Sequence, residues 1–374
     1  MRTPVLRALG ASGAALIATA GARAQPGIQS MGILPGGEWS VAVAVSGNGQ
    51  VVTGYSRRAG GLERGVRWTP GGGLQDLGGT PNADYSNGWG VSADGATIVG
   101  WSFGQPGPGR ALRSVGGGPF QPLAAPPNTL NDYAHAASAD GSVIVGSSAL
   151  LSGMHAMRWV NGVPQDLGAP VPNTQTAAHG VSHDGQTVVG DTTYPAGSAS
   201  HPWRWTSGSG AIQELPVPAG TYSNYARAVS ADGSVTVGGA GFNGGYSHAL
   251  RWVGTTLQDL GTLPGFGDPS SFASAVSADG TRVVGMTDTF VGQHAFLWTV
   301  GGGMQDLNTL LQNQGVDLSG WLLQSARGIS ADGYTIVGDG AFNGAQQGFI
   351  VTLPAPGAAA LGSGLLFAMA RRRR

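Results

Sequence analysis

Four histidines recur at one place in a repeated unit. His155, His201, His248 and His294 each stand four residues before a tryptophan. Regularly spaced imidazoles are candidate metal ligands, but equivalent positions in separate copies of a repeat lie far apart unless they line a common axis. Arg64, Arg110 and Gln347 occupy the same place in other copies, so a hydrogen-bonding role inside each copy is the better expectation. A second recurring group is the Asp of six Asp-Gly pairs (Asp94, Asp140, Asp184, Asp232, Asp279, Asp332), with Asn48 in the first copy. Calcium loops gather several oxygens; one carboxylate beside a Gly is turn chemistry. A third set pairs an Arg with a later acid: Arg67 with Asp76, Arg158 with Asp166, Arg204 with Glu214, Arg251 with Asp259. Cross-strand ion pairs are the expectation there. There is no cysteine, hence no thiolate ligand or nucleophile. No arginine triad or paired carboxylates suggest a glycosidase, so no catalytic, metal or cofactor residue is assigned and the expectation is a protein that is not an enzyme.

The elements that must position these residues come from the repeat. Ser-x-(Asp/Asn)-Gly begins at Ser46, Ser92, Ser138, Ser182, Ser230, Ser277 and Ser330, at spacings of 44 to 53 residues. Six residues after each Asp or Asn stands Gly54, Gly100, Gly146, Gly190, Gly238, Gly285 or Gly338. A segment with Trp68, Trp159, Trp205, Trp252 or Trp298 follows, and then Gln-Asp-Leu or a variant. Four short strands, A to D, fit each unit, and four strands in 40 to 50 residues mark a propeller blade. The predicted fold is all-β: a seven-bladed β-propeller of four-stranded blades. The last unit lacks its Gln-Asp-Leu strand, while Gln29–Gly36 aligns with Gln258–Gly265, so residues 28–32 are expected to complete the last blade.

Two residue classes inside this frame are candidates for binding. Strand A carries small residues two and four before the Ser, which alternation would put on one face toward the crowded hub. Between them one position varies: Val43, Trp89, His135, His179, Arg227, Ser274, Arg327. Aromatics that the repeat does not require, among them Trp101, Tyr133, Tyr225 and Trp321, are expected in the long B–C and D–A connections on one end of the propeller. The candidate ligand face is therefore Trp89, Trp101, Tyr133, His135, His179, Tyr225, Arg227, Trp321 and Arg327; packing of loops onto blades is the competing role for its aromatics.

His294-Ala295-Phe296, ahead of Leu297-Trp298, resembles the motif of the HAF repeat, with relaxed copies at His155-Ala156-Met157, His201-Pro202-Trp203 and His248-Ala249-Leu250. The resemblance spans residues 28–353. It implies an extracellular bacterial repeat protein and supplies no established reaction.

Both ends look like addresses. Arg2 and Arg7 precede an apolar Ala8–Ala20, and Ala22-Arg23-Ala24 offers a small-x-small cleavage site. That is the layout of a secretory signal over residues 1–24, cut between Ala24 and Gln25 by signal peptidase. The propeller would occupy residues 25–353. Residues 354–374 run Pro354-Ala355-Pro356, an apolar stretch, then Arg371, Arg372, Arg373 and Arg374. This resembles the PEP-CTERM sorting signal of Gram-negative bacteria, read by an exosortase, with Ala355 where the usual motif has Glu. The implied location is extracellular or the cell surface, with the membrane touched only through the C-terminal segment before processing. Without its ends the body has 12 Arg, no Lys and 20 acids. That balance argues against nucleic acid and other polyanions and for a neutral or cationic polysaccharide. The expected role is binding or structural, with extracellular polysaccharide or a surface protein as partner. A propeller lyase or hydrolase acting on glycans and a protein-interaction platform are the alternatives.

Overall fold

The computed structural model describes residues 26–81, 83–104, 107–195, 199–264 and 269–354. The cleavage site and all of the sorting tail beyond Pro354 lie outside them. Among the described residues the strands form five separate four-stranded sheets and one eight-stranded sheet. The larger sheet is two antiparallel four-stranded units joined by one parallel pair, Glu63 with Tyr85. Each unit is one sequence repeat, read A to D outward. The fourth unit is typical: Gln175–Val181, Thr187–Thr193, His201–Thr206 and Ile212–Glu214. The strand Gly27–Ser30 pairs antiparallel with Ala345–Thr352, Ile28 opposite Val351. The first described strand thus supplies the fourth strand of the last sheet. One departure from pure β structure is the helix Leu307–Asn313, capped by the Asp306 carboxylate on the Asn308 and Thr309 amides. It fills the longest repeat spacing, where the sequence reading places no helix.

The Ser-x-Asp-Gly turns are hydrogen-bonded staples. In the third repeat the Asp140 carboxylate accepts from the Ser138 hydroxyl and the Ser142 amide (2.8 and 2.9 Å), and Ser138 Oγ accepts from the Val143 amide at 3.0 Å. The seven Ser side chains are almost wholly buried. The residue between Ser and Asp joins neighbouring turns through the backbone, with Asp94 taking over as donor in the second repeat. Gly47 N–H donates to Ala93, Asp94 to Ala139, Ala139 to His183, His183 to Ala231, Ala231 to Ala278, Ala278 to Ala331, and Ala331 back to Gly47. This closed circuit of amides ties the inner strands into a ring.

The core lies between sheets. Trp159 and Trp252 are fully buried, and each indole N–H reaches back to the preceding sheet, to the Ala124 and Pro216 carbonyls at 2.8 Å. Side chains from adjacent repeats share one cluster, as with Val99, Leu123, Ile144 and Trp159.

The turns carry a pH dependence. The Ser142 and Ser234 amides hold the Asp140 and Asp232 carboxylates down to about 2. A carboxylate depressed by folding stabilises above its unfolded value of about 3.9 and loses that contribution as pH falls through the folded value. The turns' own contribution should be constant near neutrality and fall between about pH 4 and pH 2, below a separate loss that begins near pH 6.5, where the unfolded chain but not the buried His135 takes up a proton. Asp140→Asn should flatten part of that fall at little cost at pH 7, because Asn48 already makes the same bonds in the first repeat. Thermal melts across pH check this; an Asp140→Asn profile parallel to the parent's would refute it.

Candidate binding site in the axial channel

Every inner strand breaks register at the same place. The shifts fall between Ala42 and Ala44, Gly88 and Gly90, Ala134 and Ala136, Ala178 and Gly180, Ala226 and Ala228, Ala273 and Ala275, and Ala326 and Gly328. The skipped residue is in each case the variable one. A bulge of this kind leaves its extra residue outside the ladder and re-aims the side chain. Here all seven, from Val43 round to Arg327, line one axial cavity of about 320 Å³. The bulge also corrects the expectation that the two small residues share a face. The first, such as Ala42 or Ala134, is fully buried between sheets, while the second, such as Ala44 or Ala136, borders the channel.

The channel is chemically lopsided. On one side Trp89 meets His135 edge-on at 6.0 Å, and His135 stacks on His179 at 5.3 Å. Burial, with His179 and Arg227 nearby, pulls His135 down to about 3, so it is neutral. Its Nδ1 lies 2.8 Å from the Ala178 carbonyl, which accepts, so Nδ1 carries the proton and Nε2 is left as an acceptor. The Trp89 indole N–H is buried with no hydrogen-bond partner among the described residues. On the other side stand Arg227, Ser274 and Arg327. At the end formed by the B–C and D–A connections the channel opens into a second cavity of about 440 Å³, lined by Asp191, Thr193, Ser223, Tyr225, Phe272 and Ser325 together with the same two arginines and Ser274. Burial pushes the Tyr225 hydroxyl up to about 12 against the pull of Arg227, so it stays protonated. At the opposite, Asp-Gly end the passage narrows to about 120 Å³.

Of the candidate ligand face, Trp89, His135, His179, Arg227 and Arg327 meet in the channel, and Tyr225 and both arginines line its wider mouth. Trp101 and Tyr133 form an edge-on pair at 5.2 Å from adjacent repeats. Trp321 is stacked on Phe342 at 4.7 Å and edge-on to Phe349, which is packing within the last sheet. Trp101, Tyr133, Tyr225 and Trp321 all lie in strands rather than in connections. Strands A and B run longer than the repeat pattern suggests, up to nine residues, and absorb them.

The sequence reading missed Asp191 and Asp339. Each follows the strand-B glycine and holds the bulge residue of its own repeat: Asp191 accepts from His179 Nε2, and Asp339 from Arg327 Nε. A second variable column, one residue after that glycine (Tyr55, Trp101, Ser147, Asp191, Gly239, Met286, Asp339), is visible in the alignment of repeats and would have found them.

The recurring histidine is a blade fixture. His155, His248 and His294 place Nδ1 2.6 to 2.7 Å from Asp166, Asp259 and Asp306, and His201 lies 3.5 Å from Glu214. The expected Arg–acid pairs are thereby corrected. Register puts Asp166 opposite Met157 and Gln165 opposite Arg158, so acid and arginine point to opposite faces. Arg158 instead bonds Gln165 and the Gly185 carbonyl of the next repeat and covers Trp205 at 5.4 Å; Arg251 does the same with Gln258, Gly280 and Trp298. Asp76 is met by Arg58 at 3.6 Å. Among the described residues no group of three His, Asp or Glu could hold a metal ion, and no helix is long and apolar enough to cross a membrane.

No family model and no curated protein matches the chain. Solved structures do. The β-propeller domain of the trilobed protease of Pyrococcus furiosus, which has an open velcro topology, superposes with a TM-score of 0.56 at 9% identity over 84% of this chain and 93% of its own. Oligogalacturonate lyase from Vibrio parahaemolyticus gives 0.56 at 10% identity over 85% and 92%. An oligogalacturonate lyase in complex with manganese gives 0.54 at 12% over 84% and 89%. At such identities the likeness speaks for architecture alone, and with the ring of four-stranded sheets it makes the chain an all-β propeller.

Proposed function

We propose that this is a seven-bladed propeller with a binding role at the cell surface or in the extracellular matrix, and that its ligand, an extracellular polysaccharide, enters the wider mouth of the channel. One observation carries this reading. The seven repeats agree wherever the blade needs a residue: the buried Ser, the turn Gly, the strand-B Gly. They disagree at the bulge, the position delivered into the channel. A residue required by the fold would recur there; a position released from the fold can be fitted to a ligand. Residues 1–24 and 354–374 act, on this reading, as export and sorting segments for signal peptidase and an exosortase-type enzyme. The test uses protein recovered from the native cells. Its mass should correspond to a start at Gln25 and a lost Arg tail, and on a glycan array it should retain a defined set of oligosaccharides. An intact chain found in the cytoplasm would overturn the address; an array without binding would overturn the ligand and favour a structural or protein-binding propeller.

A further inference from the structure

The wider mouth has a chemical bias that the overall charge hides. Repeats five, six and seven deliver Arg227, Ser274 and Arg327 side by side from the same bulge, and all three line both the channel and its mouth. Arg327 is anchored through Nε by Asp339, whose other oxygen accepts from Gln346 at 3.1 Å. Asp339 is buried, so the guanidinium is fixed from behind, and its terminal amino groups have no partner among the described residues. Arg227 is exposed, with no hydrogen bond or ion pair to any described residue. Asp191, which shares the mouth, is engaged by His179. With Asp339 bonded to Arg327 and Asp191 held by His179, Arg227 faces the cavity with no carboxylate among the described residues bonded to it.

Resting on the binding reading above, we propose that the mouth selects a uronic acid unit, its carboxylate held by Arg227 and Arg327 across Ser274. Guanidinium groups match a planar carboxylate with paired N–H donors. The remaining wall suits a sugar ring: the Thr193, Ser223, Ser325 and Tyr225 hydroxyls for its polar edge, Phe272 and Met286 for its C–H face. A cavity of about 440 Å³ is in the range that holds small ligands. Net charge disfavours a long polyanion at a distance, but within a Debye length of about 8 Å the nearest groups decide. This replaces the neutral or cationic preference that composition suggests.

The test is calorimetric titration of the purified protein with oligomers of galacturonic and glucuronic acid, their methyl esters, the matching neutral oligomers and sulfated ones. The acidic oligomers should bind at least about tenfold more tightly than esters or neutral sugars. Arg227→Gln should abolish that preference with an unchanged melting temperature, because no described residue depends on Arg227. Equal binding of acidic and neutral oligomers, unaffected by Arg227→Gln, overturns the uronic acid proposal and leaves the binding reading standing. Sulfated oligomers binding as tightly as uronic ones overturn the carboxylate assignment. Absence of binding by every oligosaccharide overturns both.

Discussion

Replacing Gly146 by Ala should lower stability by at least about 3 kcal/mol, a loss of roughly 6 to 12 °C in melting temperature. The cause is the bulge of the facing strand. Ala134 pairs with Gly146, and the register shift that follows turns the Tyr133 carbonyl over the glycine. A Cβ at Gly146 would lie 1.9 Å from that oxygen and 3.0 Å from the Ala134 Cα. Both obstacles are backbone, so no rotamer change relieves them, and the inner strand itself must move. The same clash recurs in every repeat. The nearest carbonyl lies 1.8 Å away at Gly100, 1.9 Å at Gly54, Gly190, Gly285 and Gly338, and 2.0 Å at Gly238. A control separates crowding from flexibility. Gly162 has φ +84° and open space around its Cβ position, so Gly162→Ala should cost only about 1 kcal/mol. Because the bulge aims His135, Gly146→Ala should also disturb the His135–His179 stack, which NMR of the imidazole resonances would register. A Gly146→Ala protein that melts with the parent would refute the bulge as the reason for this glycine.

That glycine marks the border of what the sequence tells. Its recurrence at a fixed place is plain in the repeats, as are the four strands, the Asp-Gly turns and the pairing of the first strand with the last. These features rest on local rules: turn residues, period-two alternation, a repeated register. The bulge rests on a relation between two strands, and no single strand encodes it. Alternation alone puts Ala134 and Ala136 on one face, and the inserted His135 breaks that count. The reversed assignment of Arg158 and His155 has the same origin, since a shift of one residue in strand pairing exchanges faces. The site was half legible. His135, His179, Arg227 and Arg327 stand out because one column varies where its neighbours do not. Asp191 and Asp339 were passed over because they sit on the neighbouring strand, and only cross-strand pairing shows that they support the bulge residue. The helix Leu307–Asn313 escaped because it occupies a connection that the repeat leaves free.

Deleting residues 25–34 should cost about 10 °C or more in melting temperature and make the protein prone to aggregate. Three losses combine. The ladder from Gly27–Ser30 to Ala345–Thr352 disappears, together with the Met31 amide bond to the Gly348 carbonyl at 2.8 Å and the Ser30 hydroxyl bond to Gln347 at 2.6 Å. Met31 and Leu34, 2% and 6% exposed, leave a cluster that contains Val337 and Ile350 of the last repeat and Val45, Val52 and Trp68 of the first. Loss of such side chains from a core costs about 2 to 5 kcal/mol each, and at roughly 2 to 4 °C per kcal/mol for a domain of this class the shift is large. The third loss is topological. The segment joins the last sheet to the first both by pairing and by packing, so its removal leaves Ala345–Thr352 as an open edge, a template for pairing with other chains. Met31→Ala separates these effects. It keeps the ladder and the covered edge while removing one core side chain, so it should lower the melting temperature by less and leave the protein monodisperse. Melts and size-exclusion chromatography of parent, Met31→Ala and the deletion would decide. A deletion protein that melts within about 2 °C of the parent would mean that the ring of turn amides alone, without this strand, holds the first and last sheets together.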